Sequence, residues 1–177
     1  LEQDGATSVI VDLRANGGGY MSAATEMIDR FLDQGLGIVY TEGKASPRRD
    51  YVSKYDGEYR NWPIAVLIDE SSASASEIFA GAMQDNDRGL IVGRRSFGKG
   101  LVQEEFEVPN SNEGSGALRL TVARFYTPSG RAIQKPYGEG VDYDHDYEDR
   151  LQSGELFLND SVIKTDSVVY RTLFGRE

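Results

Sequence analysis

Cysteine is absent from these 177 residues, and histidine occurs once, as His145. The first absence excludes a disulfide framework and a thiolate nucleophile, though it leaves the compartment open. The second leaves little room for imidazole chemistry. No spacing of His, Cys and carboxylates suits zinc, and a Ser-His-Asp triad would have to run through His145, set among Asp142, Asp144 and Asp146 in a segment expected to face water. Long apolar runs are also missing; none approaches the roughly 18 residues that span a bilayer. Positive charge is scarce, with 19 Lys and Arg against 29 Asp and Glu, for a net charge of -10. A surface of that sign repels polyanions, so nucleic acid is not an expected partner. The opening residues Leu1-Glu2-Gln3-Asp4-Gly5 have neither the basic start nor the apolar core of a signal peptide. A mature or excised piece of an exported protein would lack both as well.

What remains is the composition of an ordinary globular domain, 39% hydrophobic and 27% charged, at a length suited to one well-buried core. Val9-Ile10-Val11-Asp12-Leu13-Arg14 predicts a strand that ends in the turn Ala15-Asn16-Gly17-Gly18-Gly19. Apolar spacings of three and four predict a helix from Met21 to Leu32, and Gly37-Ile38-Val39-Tyr40 begins a second strand. The polar stretch from Glu42 to Arg60 reads as an exposed excursion, long enough to suggest a functional loop or flap. Ile64 to Asp69 predicts a strand buried on both faces, followed by a small-residue helix from Ala75 to Met83. Further strands are expected at Leu90–Gly93, Val102–Val108 and Gly116–Thr127, whereas the order beyond Pro136 is not legible. Strand and helix alternate as in an α/β fold, where ligand chemistry gathers at the strand ends.

Two of those ends carry unusual residues. Ser72-Ala73-Ser74-Ala75-Ser76-Glu77 opens the helix, and Ser96-Phe97-Gly98-Lys99-Gly100 places a Gly-flanked lysine 25 positions after Ser74. A serine hydroxyl attacks only when a base takes its proton, and a lysine serves where burial leaves free amine near neutral pH. Ser74 would be that nucleophile and Lys99 that base. The N–H of Ala75, free in the first helical turn, is one candidate oxyanion donor. The glycine loop supplies a second, with Gly18 the first choice and Gly19 the near alternative.

Each residue also has a structural reading. Ser74-x-x-Glu77 matches a helix capping box, the commoner meaning of that pattern. A lysine between glycines is ordinarily a solvated turn, and Asp12 with Arg14 reads as the organiser of a turn. Gly93 to Lys99 satisfies the first seven positions of a phosphate-binding loop, but Gly100 replaces the magnesium-binding hydroxyl and a strand follows instead of a helix. Asp142-x-Asp144-x-Asp146 has the start of a calcium loop without its glycine or its closing glutamate. Neither a metal nor a cofactor is expected.

Three blocks, Val11 to Gly19, Asp69 to Ile78 and Gly93 to Gln103, together resemble the carboxyl-terminal processing peptidases, or tail-specific proteases. Ala123 to Arg131 looks like that family's strand and turn after the lysine block. The resemblance implies a ClpP/crotonase-like α/β peptidase core with a mixed β-sheet and flanking helices. It implies Ser74 as nucleophile, Lys99 as general base, Gln103 orienting the lysine, and Ala75 with the Gly17–Gly19 loop as oxyanion hole. It further implies a serine endopeptidase that cleaves proteins near apolar C-terminal tails, a PDZ domain in the same full-length chain, and a place in the bacterial periplasm or cell envelope. Residues 1–177 would be a single peptidase-core domain without that PDZ domain or the family's flanking segments. Ala15 stands where the family commonly has asparagine and Gly17 where it has proline, and neither change removes a reacting group. Against this stands a noncatalytic peptide-binding or scaffold module with the same core.

Overall fold

The structure is a computed structural model that describes residues 2–110, 114–157 and 168–177. Strand β1 (Val9–Asp12), helix α1 (Met21–Ile28), strands β2 (Gly37–Glu42), β3 (Arg49–Val52) and β4 (Ile64–Ile68), and helix α2 (Ala75–Asp85) come first. Strands β5 (Leu90–Gly93), β6 (Leu101–Asn110) and β7 (Gly114–Tyr126) and helix α3 (Asp146–Gln152) follow. Two sheets result, where the resemblance implies one mixed sheet. A parallel sheet has the order β1-β4-β5, and an antiparallel sheet has the order β3-β2-β7-β6.

The parallel sheet brings the three sequence blocks together. Val11 lies opposite Val66, which lies opposite Ile91, so the three strands end side by side. In a parallel sheet all carboxyl ends point the same way. The glycine loop after β1, the serine turn after β4 and the lysine loop after β5 therefore emerge at one edge of the molecule. The lysine loop also joins the two sheets, since β6 begins at Leu101.

Helix α2 packs against α1, β2 and β5 and so touches both sheets. Its residues Ile78, Phe79 and Met83 are at most 2% exposed, and burying each such side chain contributes about 1.5–3 kcal/mol. The core they share with Ile28, Leu32, Ile38 and Val66 fixes the helix that starts at the serine turn.

Four expectations change. Helix α1 stops at Ile28, and the buried Phe31 and Leu32 follow in tight turns, with the Phe31 N–H bonded to the Ile28 carbonyl at 2.9 Å. The excursion from Glu42 to Arg60 contains β3, an edge strand paired antiparallel to β2. Strand β4 is fully covered on the Ile64 and Val66 side only; beside its half-buried other face, Ile10 and Val92 of the neighbouring strands are open. The region beyond Pro136 contains α3 and a 3-10 turn at Glu155–Phe157. The unreadable stretch from Gly154 onward includes residues 158–167, which lie outside the described residues.

Candidate active site

Asp69, just past β4, organises the meeting of the first two loops. Its carboxylate accepts the N–H groups of Ala15 at 3.0 Å, Ser71 at 3.0 Å and Ser72 at 3.1 Å. Burial alone would raise its pKa, but these donors and the Ser72 hydroxyl outweigh it and hold the carboxyl below its ordinary value of 3.8. The Ala73 N–H donates to the Asn16 carbonyl at 3.0 Å, and the Ser76 hydroxyl reaches the same oxygen at 3.1 Å. The Phe97 N–H donates to the Ser72 carbonyl at 2.9 Å, which brings in the lysine loop. Ser72 itself is buried, with its hydroxyl donating to the Leu13 carbonyl at 2.7 Å. Its hydroxyl thereby ties the serine turn to the end of β1.

Ser74 stands at the tip of this turn with φ 57° and ψ -115°, whereas an ordinary helix cap has extended backbone. A non-glycine residue held there stores about 1–3 kcal/mol of strain, which persists only where the surroundings dictate it. The same sharp strand-to-helix geometry exposes nucleophilic serines in other hydrolases. The capping box is present in its glutamate half: the Glu77 carboxylate accepts the Ser74 N–H at 2.8 Å. The Ser74 hydroxyl faces the Glu77 N–H without closing a cap hydrogen bond, and that N–H is met by the Ser74 carbonyl at 2.9 Å.

Glu77 does far more than cap. One of its oxygens accepts both the Ser74 N–H and the Lys99 N–H, each at 2.8 Å. The two backbone nitrogens are therefore within twice that distance of each other. Its other oxygen accepts the Ser96 hydroxyl at 2.6 Å and the Gly98 N–H at 2.7 Å. A single carboxylate, 6% exposed, thus joins the serine turn to the lysine loop through four charge-assisted bonds. Sequence reasoning found the Ser74–Glu77 spacing but not this role, because the other partners lie about twenty residues away.

The side chain of Lys99 is exposed and makes no hydrogen bond to any of the described residues, Ser74 included. Its backbone is fixed by neighbours: Gly98 accepts the Lys135 N–H at 2.9 Å, and the Gly100 N–H donates to the Gln134 side chain at 2.9 Å. Gln103 is exposed on β6 opposite Thr121, just past a shift in the β6–β7 register.

On the oxyanion side, the Ala75 N–H has no acceptor among the described residues. Gly18, at φ 93°, presses its backbone against this turn so closely that a Cβ would lie 2.5 Å from the Ala73 oxygen and 2.7 Å from the Ala75 nitrogen. Its own N–H donates to the Asn16 side chain at 2.9 Å. The Gly19 N–H makes no hydrogen bond among the described residues. Asp12 and Arg14 form an exposed pair at 2.7 Å that lowers the Asp12 pKa to about 2 and shapes the turn, as expected. His145 bonds Asp142 at 2.8 Å on the surface, and that carboxylate raises its pKa. The Gly93–Lys99 segment leads into strand β6, not into the helix a phosphate-binding loop would open.

The profile of peptidase family S41 matches residues 1–147. The chain belongs to that family. It is 42% identical over 135 residues to a carboxyl-terminal-processing protease of Picosynechococcus sp., covering 76% of this chain and 31% of that protein. It is 44% identical over 138 residues to a carboxy-terminal-processing protease of Bartonella bacilliformis, covering 76% and 30%. Among solved structures, a photosystem II D1 C-terminal processing protease superposes with a TM-score of 0.66 at 38% identity, covering 75% of this chain and 33% of that one. This S41 chain therefore spans roughly a third of the length of these relatives. No helix among its described residues is long and apolar enough to cross a membrane.

Proposed function

We propose that this chain is the core of a serine endopeptidase that cleaves protein substrates near their C-termini through a Ser74–Lys99 dyad. The observation that carries the reading is the Glu77 oxygen shared by the Ser74 and Lys99 N–H groups, which ties nucleophile and base segments at one point. In the reaction, the Lys99 amine takes the Ser74 hydroxyl proton as Oγ bonds to the scissile carbonyl carbon. The N–H of Ala75 and that of Gly18 or Gly19 receive the developing oxyanion. The Gly19 N–H has no acceptor to release among the described residues, whereas Gly18 must first give up Asn16. The lysine proton then passes to the leaving amine as the C–N bond breaks, and water hydrolyses the ester to free Ser74. Gln103 orients the lysine when its side chain swings inward.

The three parallel strands with a helix following the nucleophile turn support assignment to the ClpP/crotonase-like class. In this reading residues 1–177 form one peptidase-core domain, and a PDZ domain elsewhere in the full-length chain grips an apolar substrate tail. The compartment that fits is the bacterial periplasm or cell envelope. A fluorophosphonate should label Ser74 in the full-length protein, with label and peptide turnover both lost in Ser74→Ala. Turnover that survives in Ser74→Ala refutes the assignment. One observation favours the noncatalytic reading, the open side chain of Lys99. Tail-peptide binding without turnover by the full-length protein would establish that alternative.

A further inference from the structure

The loop that carries Lys99 is gripped from a second side by α3, which starts at Asp146 and runs on past residue 147, where the family match ends. Arg150 of α3 is 3% exposed, and its guanidinium faces inward. It donates to the Arg95 carbonyl at 2.5 Å and to the Ser96 carbonyl at 3.3 Å, while its Nε bonds Glu155 at 2.8 Å. Glu155 also binds the Arg95 side chain, at 2.8 Å and 3.0 Å. A second attachment lies beside the first. The Lys135 ammonium pairs with Asp146, the first residue of α3, at 3.1 Å and stands 4.6 Å from the Phe97 ring centre.

A buried guanidinium loses hydration, so its neighbours must restore those bonds. Here the compensating acceptors include two consecutive carbonyls of the lysine loop, which a planar fork of donors matches and a point charge does not. Ser96 completes the path. Its carbonyl accepts from Arg150 while its hydroxyl donates to Glu77, whose other oxygen holds the Ser74 and Lys99 N–H groups. Arg150 is thus two side chains away from the reacting pair, with hydrogen bonds at every step.

We propose that α3 and its 3-10 turn form a clamp that sets the position of the Lys99 loop for catalysis, with Arg150 as the positioning residue. The proposal rests on the peptidase reading of Ser74 and Lys99. An arginine that merely anchored α3 would affect stability and leave turnover by the folded enzyme untouched. One that positions the base lowers turnover without weakening substrate binding, because a displacement of about 1 Å near the chemistry costs on the order of 10²-fold in rate.

The test is peptide turnover by the full-length protein at a temperature where each variant is folded by circular dichroism. Arg150→Ala should lower kcat about 10- to 100-fold, with KM within about twofold. Arg150→Lys should recover only part of the loss, since its ammonium cannot bridge both carbonyls. Millimolar guanidinium should raise the activity of Arg150→Ala, and Arg171→Ala, which breaks an exposed pair with Glu177 elsewhere on the surface, should match the parent. If Arg150→Ala does not fold, Arg150→Lys and Glu155→Gln carry the same comparison, and a kcat equal to the parent in both overturns the clamp. Unchanged kcat in folded Arg150→Ala also overturns it, as does a loss confined to KM. Turnover that persists in Ser74→Ala overturns the peptidase reading and the clamp with it, whereas turnover lost in Ser74→Ala but intact in Arg150→Ala overturns the clamp alone.

Discussion

Replacing Glu77 by glutamine keeps the shape of the side chain and removes only its charge and one acceptor oxygen. The carboxylate receives the Ser74 and Lys99 N–H groups on one oxygen and the Ser96 hydroxyl and Gly98 N–H on the other. A glutamine has one oxygen, so its NH2 group must face one of those pairs. With the oxygen toward Ser74 and Lys99, the Ser96 hydroxyl can rotate to accept, but the buried Gly98 N–H is left without a partner. With the oxygen on the other side, two N–H groups are orphaned. An unsatisfied buried donor costs about 1–3 kcal/mol, and the remaining bonds weaken without the charge, so the expected loss is about 2–4 kcal/mol. For a domain of this size that is a drop in Tm on the order of 5–15 °C. Urea titration measures the stability, and kcat on the folded variant measures the alignment, which should fall about 10²-fold. A Glu77→Gln protein within about 0.5 kcal/mol of the parent and with normal turnover would refute the claim that this carboxylate assembles the site.

Ser74→Gly should abolish turnover yet raise stability by about 1 kcal/mol, because glycine adopts φ 57° without strain; a urea midpoint at or below the parent's would contradict the strain. Gly18→Ala should cost more than about 2 kcal/mol and most of the activity, since the new methyl would meet the Ala73 oxygen at 2.5 Å; an active, stable variant would show that the loop gives way. Lys99→Ala and Lys99→Arg should both lose turnover, as arginine keeps the charge but cannot act as a base, so activity in Lys99→Arg would remove the lysine from the mechanism. Asp69 has a folded-state pKa below its ordinary 3.8, so the stability it contributes is complete above that value and is lost as the pH falls through the folded pKa. Asp69→Asn should therefore be less stable at neutral pH and show a shallower loss of stability on acidification below about pH 4, measured as urea midpoints across that range.

The parts of the fold that were legible in the sequence are those whose pattern is set by their own burial. Strand β4 and helix α2 lend Ile64, Val66, Ile78, Phe79 and Met83 to the core, so their apolar residues announce their positions, although the unbroken apolar run of β4 conceals that only one of its faces is fully covered. Strand β3 escaped because it is an edge strand reading Arg49-Asp50-Tyr51-Val52, in which only Tyr51 packs against the core. Its companion Arg48 lies over the Tyr40 ring at 3.7 Å, an interaction no alternation of polar and apolar residues reveals. Helix α3 escaped for a related reason. Its buried residue is a charged one, Arg150, so a search for an apolar stripe passes over it. The acidic first turn of Asp146, Glu148 and Asp149, favourable to the helix dipole, is the available signal, and in the sequence it looks the same as a solvated acidic surface.

The candidate site divides along the same line, between backbone and side chain. Ser74, Ala75 and Gly18 owe their placement to turns encoded within a few residues and to the parallel sheet that aligns those turns, so short motifs are enough to nominate them. Lys99 depends on contacts from Glu77, Gln134, Lys135 and, through the loop, Arg150, none of them within ten residues of it. These contacts fix its backbone and leave its ammonium open. The strain lies on the serine, where geometry must be exact before substrate arrives. The freedom lies in the lysine, whose four-carbon stem has a rotamer entropy of about 2 kcal/mol to lose on closing. Substrate binding that covers Lys99 would supply that ordering and exclude water in the same step, so the dyad proposed above is one that closes only under substrate.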